Sequence, residues 1–413
     1  MTASRRVAPR AARTAGRGAT RASGRGSGSG ASRRRDPVVV RRGPAPETVL
    51  VASVALLCGI GLLMVFSASQ VLAVEQTGSS WSIVARQAAW MVVGVGALLL
   101  AARVPLEMYR DRVGPLLMVL AVAGLGWIAL DLVAGRLGGG LPLAASVNGA
   151  SRWLVAGPVQ FQPSELAKPA LILWLARLLA DRRRDLSTWA GLQPVLLAAF
   201  GVMGLVIIGD DLGTTMLLGI VLLVMLWMGG APLRTVGSLL GVFLAGAAMV
   251  ITLFQGFRAQ RITAFLHPDD HTSAAGYQLL QSQIGLASGG LFGSGPGFSR
   301  AKWGFLPEAH TDFILAVIGE ELGLVGSLFV IGLFVAFMWA GCTIAMWSRS
   351  LFGRLVAFGV TTWIGLQALI NIGVTVGTMP TKGITLPFVS YGGSSLLMSL
   401  FGVGILLSVA RAR

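Results

Sequence analysis

Runs of about twenty apolar residues recur along this 413-residue chain, and no other feature narrows its fold as far. A bilayer core of roughly 30 Å is crossed by about 20 residues of helix. Windows of that length lie at about 48–73, 83–103, 113–135, 164–180, 190–208, 212–229, 234–254, 312–340, 353–377 and 388–409. Each is expected to be helical, because lipid offers backbone N–H and C=O groups no other partner. Apolar residues make up 54% of the chain, charged ones 12%, and mean hydropathy is +0.75, which excludes an ordinary soluble domain. The expected fold is an all-α polytopic membrane protein of ten transmembrane helices over residues 48–413, behind a separate tail of residues 1–47.

Basic clusters orient the helices. Arg182 to Arg184, Arg234, Arg349 with Arg354, and Arg411 with Arg413 fall in alternate connections or at the C-terminus, on the side of the Arg-rich N-terminus. The positive-inside rule makes that side, and both termini, cytoplasmic. Two long connections then lie outside: about 136–163, and a large extracytoplasmic loop between helices seven and eight at about 255–311. Connections of such length are usually functional or disordered. The tail holds twelve Arg against Asp36 and Glu47, most of the formal net charge of +16, with no apolar period to fold it. It reads as a disordered cytoplasmic segment that fixes orientation and touches anionic lipid. The alternative is a docking segment for a cytoplasmic partner; nucleic acid is not expected to bind a membrane-tethered tail. The first apolar run is too long for a signal-peptide core and is expected to stay as an anchor.

Cys58 and Cys342 both fall within apolar segments, so neither a disulfide framework nor a thiolate zinc site is expected. His267, His271 and His310 crowd the second external loop at spacings that fit no standard zinc pattern.

Carboxylates in or beside a membrane helix are costly and usually mark a working site. Gln162 to Lys168 opens the fourth helix. Pro163 suits a first helical turn, and Glu165 complements the helix dipole there. Glu165 and Lys168 share a face as an ion pair, or Lys168, about one turn below the surface, holds a substrate phosphate as a point charge. Upstream, Arg152 is an anion contact on the outer face, beside Trp153 as an interfacial anchor. Gly209 to Thr214 is a tight external hairpin, with Asp210 as a helix cap and Asp211 as a possible site residue. In the large loop, Arg258 and Arg261 suit phosphate recognition, and the glycines from Gly276 to Gly297 would let backbone approach a ligand or form a lid. A helix begun at Pro307 would stack Glu308 and Asp312 on one face. Glu320 would lie roughly 12 Å deeper, too deep for a capping role.

Four segments together, Gln162 to Lys168, Gly276 to Gln281, Leu306 to Gly323 and Leu386 to Ser395, resemble the signatures of the SEDS family of bacterial glycan polymerases. The resemblance runs from about residue 48 to the C-terminus. Met379 to Thr385 is similar to the cell-division branch, since the elongation branch usually lacks the Thr381-Lys382 pair; the tail is similar to actinobacterial members. Gly209-Asp210 and Pro169 depart from the family pattern.

The resemblance implies polymerisation of lipid II into a nascent glycan strand on the outer face of the plasma membrane, at the division septum. It implies Asp312 as the residue required for polymerisation. As general base, Asp312 would accept the proton of the attacking 4-hydroxyl. Lys168, Arg152, Arg258, Arg261 and Lys302 would meet the departing diphosphate, with Glu165, Glu308, Glu320 and Ser390 completing the substrate-binding set. Mg²⁺ or Mn²⁺ at the carboxylates is an expected aid; no organic cofactor is expected. The implied partners are a class B penicillin-binding protein and other division proteins. Two other readings stay open, a lipid II flippase and a division scaffold that only recruits the septal transpeptidase.

Overall fold

A computed structural model of the chain describes residues 44–136, 139–147, 150–157, 159–181, 185–253 and 274–412. Arg258, Arg261, His267 and His271, and the tail up to residue 43, lie outside them. The elements are α1 (Pro46–Thr77), α2 (Ser82–Arg103), α3 (Gly114–Arg136), β1 (Ala144–Val147), β2 (Ala150–Ala156), β3 (Val159–Phe161), α4 (Pro163–Leu179), α5 (Trp189–Ile208) and α6 (Leu212–Met228). They continue with α7 (Leu233–Leu253), α8 (Ala274–Ser288), α9 (Ile314–Trp347), α10 (Leu351–Val376) and α11 (Gly393–Arg411). A one-turn helix, Leu106–Met108, and a π-helical turn, Tyr109–Val113, lead into α3.

This is a mostly helical, multi-pass membrane protein. Among the described residues, seven helices are long and apolar enough to cross a bilayer: α1, α2, α3 with its lead-in, α5, α9, α10 and α11. The apolar helices α6 and Leu233–Gly246 within α7 are shorter. The chain also departs from all-α: β1, β2 and β3 form an antiparallel sheet in order β1-β2-β3 within the first long connection.

Small residues set the packing, as expected where lipid supplies no hydrophobic drive between helices. Gly94 of α2 leaves room for Leu400 of α11, and Gly404 lies against the Leu98 carbonyl, where a Cβ would come within 2.5 Å. The parallel pair is stitched at its lower end by Ser408 Oγ, which donates to Val104 O at 2.7 Å. Helix α4 runs antiparallel to α10, with Ile172 over Gly359 and Lys168 beside Gln367. Most of α4 is buried in protein, which is how a helix with Glu165 and Lys168 sits at the centre of the bundle.

Gly323, at φ 70 and ψ −166, breaks α9. In an unbroken helix Leu324 N–H would donate to Glu320 O and Val325 N–H to Glu321 O. Instead a strap from the preceding loop intervenes. Leu324 N–H donates to Gly290 O (2.9 Å) and Val325 N–H to Leu291 O (3.2 Å), while Ser294 N–H donates to Glu320 O (2.9 Å) and Gly295 N–H to Glu321 O (3.0 Å). The strap thus satisfies four backbone groups that the break would otherwise leave unpaired. Gly293 has φ +81, and a Cβ there would stand 2.1 Å from Glu321 O. Gly289 and Gly293 therefore serve close approach to another backbone, that of α9, a use the sequence expectation of a ligand contact or lid did not include.

Glu320 is corrected by the same strap. Its carboxylate accepts from Arg300 N–H at 2.8 Å, from Ser299 Oγ and from Ala301 N–H at 3.5 Å, so it caps the 3-10 turn Ala301–Trp303. Depth did not exclude capping, because the loop comes to the carboxylate. Glu321, 1% exposed, accepts from Ser67 Oγ of α1 and from Ser299 N–H. Ser299→Ala should cost about 1–3 kcal/mol by stripping a buried donor from Glu320. That is read as a lower thermal midpoint in detergent, with Ser299→Thr much closer to wild type; an unchanged midpoint for Ser299→Ala would refute this role.

Candidate active site

The segment Leu306 to Phe313 is a turn, not the start of a helix. Glu308 has φ 57, in the left-handed region, so the predicted stacking of Glu308 and Asp312 on one helical face does not occur. Three amides, from Thr311, Asp312 and Phe313, converge on Glu308 O at 3.2, 3.1 and 3.4 Å. Thr311 Oγ1 donates to Glu308 Oε2 at 2.8 Å, and α9 begins only at Ile314.

Helix α10 brings a second segment to this turn. Trp363, Gln367, Asn371 and Thr375 are four apart and line one face of α10. Asn371 Nδ2 donates to Asp312 O and to Ile384 O, both at 2.7 Å, bridging the turn to residues 381–391. Gln367 Nε2 donates to Thr385 O at 3.0 Å. Tyr391 N–H donates to His310 O at 2.9 Å, and the two rings lie 5.6 Å apart. Asp312 is half-buried, and a Cβ at Gly383 would stand 3.3 Å from Asp312 Oδ2. Lys382, half-buried, is the next residue, its ammonium directed to Met216 Sδ on α6. The arrangement leaves a carboxylate at Asp312 that can accept a proton, set against Gly383, the chain neighbour of Lys382. Lys382 was missing from the cations named from sequence, although its motif was visible there as a mark of the family branch.

Of the two parts read for Lys168 from sequence, the structure shows the ion pair with Glu165. Its side chain is 2% exposed, Nζ donates to Glu165 Oε1 at 2.7 Å and to Gln367 Oε1 at 3.0 Å, and it lies 5.7 Å from the Trp363 ring centroid. An ammonium so enclosed is a strut between α4 and α10. Ser390 is also engaged: it is 3% exposed, its Oγ accepts from Leu386 N–H at 2.8 Å, and its carbonyl accepts from Gln87 Nε2 at 3.1 Å. Asp211, rather than Asp210, caps α6 by accepting from Thr214 N–H at 3.0 Å. Its other oxygen accepts from Ser164 Oγ at 2.9 Å and Gln162 Nε2 at 3.0 Å. Arg152 lines a cavity of about 10 Å³ with Ser164 and Asp211, and Lys302 donates to Gly297 O within its own loop. Among the described residues no three His, Cys, Asp or Glu side chains converge to hold a metal ion.

Burial lowers the pKa of His310 below its usual 6.5, with Glu308 opposing in part. The folded chain then binds this proton less readily than the unfolded one. Stability from His310 is complete above about 6.5 and falls as pH drops through that value. A His310→Gln variant should show a flatter thermal midpoint between about pH 7 and 5 than wild type; parallel curves would refute this.

The helical bundle, the buried ion pair and the acidic turn define a polytopic membrane protein with a half-buried carboxylate at one end of its bundle. The chain belongs to the FtsW/RodA/SpoVE family of cell cycle proteins, whose model matches residues 47–413. It is 38% identical over 369 residues to a probable peptidoglycan glycosyltransferase FtsW of Coxiella burnetii, covering 88% of this chain and 95% of that one. It is 38% identical over 364 residues to a protein of the same description in Mycobacterium tuberculosis, covering 88% and 67%. Among solved structures it is similar to a chain of a peptidoglycan synthase complex that coordinates polymerization and crosslinking, at 29% identity, TM-score 0.69, and coverage of 88% and 96%. The rod shape determining protein RodA of Thermus thermophilus matches at 30% identity and TM-score 0.62, covering 88% and 96%.

Proposed function

We propose that this protein is a peptidoglycan glycosyltransferase that polymerises lipid II into β-1,4 glycan at the outer face of the plasma membrane during cell division. The observation that carries the proposal is the half-buried Asp312 carboxylate, set against Gly383 by Asn371 at one end of a bundle whose family match spans residues 47–413. Asp312 is the general base: it takes the proton of the acceptor N-acetylglucosamine 4-hydroxyl as that oxygen attacks C1 of the donor N-acetylmuramic acid. Undecaprenyl diphosphate leaves from the opposite face, so an α-linked donor gives a β bond in one inverting step. Lys382 meets the developing charge, with Arg258 and Arg261 of the sequence between α7 and α8 as further candidates.

In this reading ten helices cross the bilayer, both termini are cytoplasmic, and the enzyme is concentrated at the septum. It works beside a class B penicillin-binding protein, in keeping with the likeness to a synthase complex that couples polymerization to crosslinking. No step is assigned to Mg²⁺ or Mn²⁺; turnover with either ion and with chelator is an assay variable. The test is to reconstitute the purified chain with its transpeptidase partner in liposomes carrying lipid II, and to run the products on a gel. Glycan strands are expected. Translocation of fluorescent lipid II with no strand formed would overturn the enzyme in favour of the flippase reading.

A further inference from the structure

We infer that the strap Leu291 to Phe305 is a monotopic seat: its apolar side chains lie in the headgroup–acyl boundary of the leaflet opposite Pro46, rather than in water. Leu291, Phe292, Phe298, Trp303 and Phe305 are all exposed, Phe292 at 80% and Phe298 at 73%. So many large exposed apolar side chains on one short segment call for a cover.

Its occupant follows from where the strap is pinned. Leu291 O accepts from Val325 N–H, so the strap's first apolar residue adjoins the exposed face of α9 at Leu324, Val325, Leu328 and Phe329. On a helix long and apolar enough to span, that face meets lipid, and the strap continues it.

Two rulers give the height. Phe388 meets both Phe337 of α9, at 5.9 Å between ring centroids, and Gly61 of α1, where a Cβ would stand 2.6 Å from Phe388 O. Ser67 of α1 meets Glu321 of α9. The two helices are therefore antiparallel, and Pro46 and Trp347 end on one side. From Pro46 to Ser67 is about 21 residues, or roughly 32 Å of helix. From Trp347 to Gly323 is about 24 residues, or roughly 36 Å. Both slightly exceed the roughly 30 Å hydrocarbon core, so the strap stands at the far boundary. Aromatic side chains concentrate at that level, and Arg300, exposed between Phe298 and Trp303, is placed to meet lipid phosphates. The seat requires nothing of the catalytic reading.

The test uses the full chain with Cys58→Ala and Cys342→Ala, reconstituted in phosphatidylcholine vesicles containing phosphatidylglycerol. Nitroxide labels go on Phe292→Cys and Phe298→Cys, with Leu328→Cys as the lipid-facing reference and Ser187→Cys as the aqueous one. Collision with oxygen relative to a water-soluble nickel chelate is expected to be several-fold higher at 292 and 298 than at 187, approaching 328. A ratio matching 187 puts the strap in water, and exclusion of both reagents means that protein covers it; either result overturns the inference. Wild-type chain gives a second readout free of substitutions: a phospholipid with a photoreactive diazirine near its headgroup should label the peptide 291–305, and failure to do so is equally adverse.

Discussion

Asp312→Asn is expected to lower the rate of glycan polymerisation from lipid II by about 10²–10⁴-fold, the usual contribution of a positioned general base. The substitution keeps shape and volume. It leaves the Asp312 carbonyl free to accept from Asn371 Nδ2, so the turn should hold and the thermal midpoint should stay near wild type. What changes is the capacity to take a proton. The two measurements belong together, a rate on purified protein with its partner and a melting curve on the same preparation. A variant that polymerises at the normal rate would remove Asp312 from the mechanism, whatever the melting curve shows.

Lys168→Met should be the most damaging single change to stability, at about 3–5 kcal/mol, because it leaves the Glu165 carboxylate buried without its cation. Glu165 Oε2 already has no hydrogen-bond partner, so the ammonium at Oε1 is what compensates it. Removing the charge on both sides, Glu165→Gln with Lys168→Met, should recover much of the loss, since a matched neutral pair carries no stranded charge. Such non-additivity identifies a strut. If Lys168→Met instead melts like wild type and raises only the lipid II KM, the ammonium contacts substrate after all.

The helices other than α8, which lies in the stretch read as the large loop, lie close to the windows that apolar run length picked out, because a membrane-spanning helix answers mainly to its own composition. The candidate site was less legible. Asp312 stood out as a carboxylate before an apolar run, and the structure keeps it half-buried at one end of the bundle. Glu308 and Glu320 could not be placed from spacing, since one depends on a left-handed φ and the other on a loop arriving from twenty residues upstream. Lys168 had the right face and the wrong surroundings: Gln367 and Trp363, about two hundred residues away, close over it. The three-stranded sheet went unseen because β1 and β3 are only four and three residues long. The cap read at Asp210 falls to Asp211, because only backbone geometry, with φ 63 at Asp210, separates the two neighbours.

The break at Gly323 also bears on how the chain is made. Residues 289–301 leave the ribosome before α9 does, yet Gly290, Leu291, Ser294, Gly295, Ser299 and Arg300 all hydrogen-bond to α9. Until that helix emerges, Gly290 O, Leu291 O and the amides of Ser294 and Gly295 lack the partners that α9 supplies. The joint at Gly323 therefore closes only after both segments have been made, when the earlier one folds back onto the later helix.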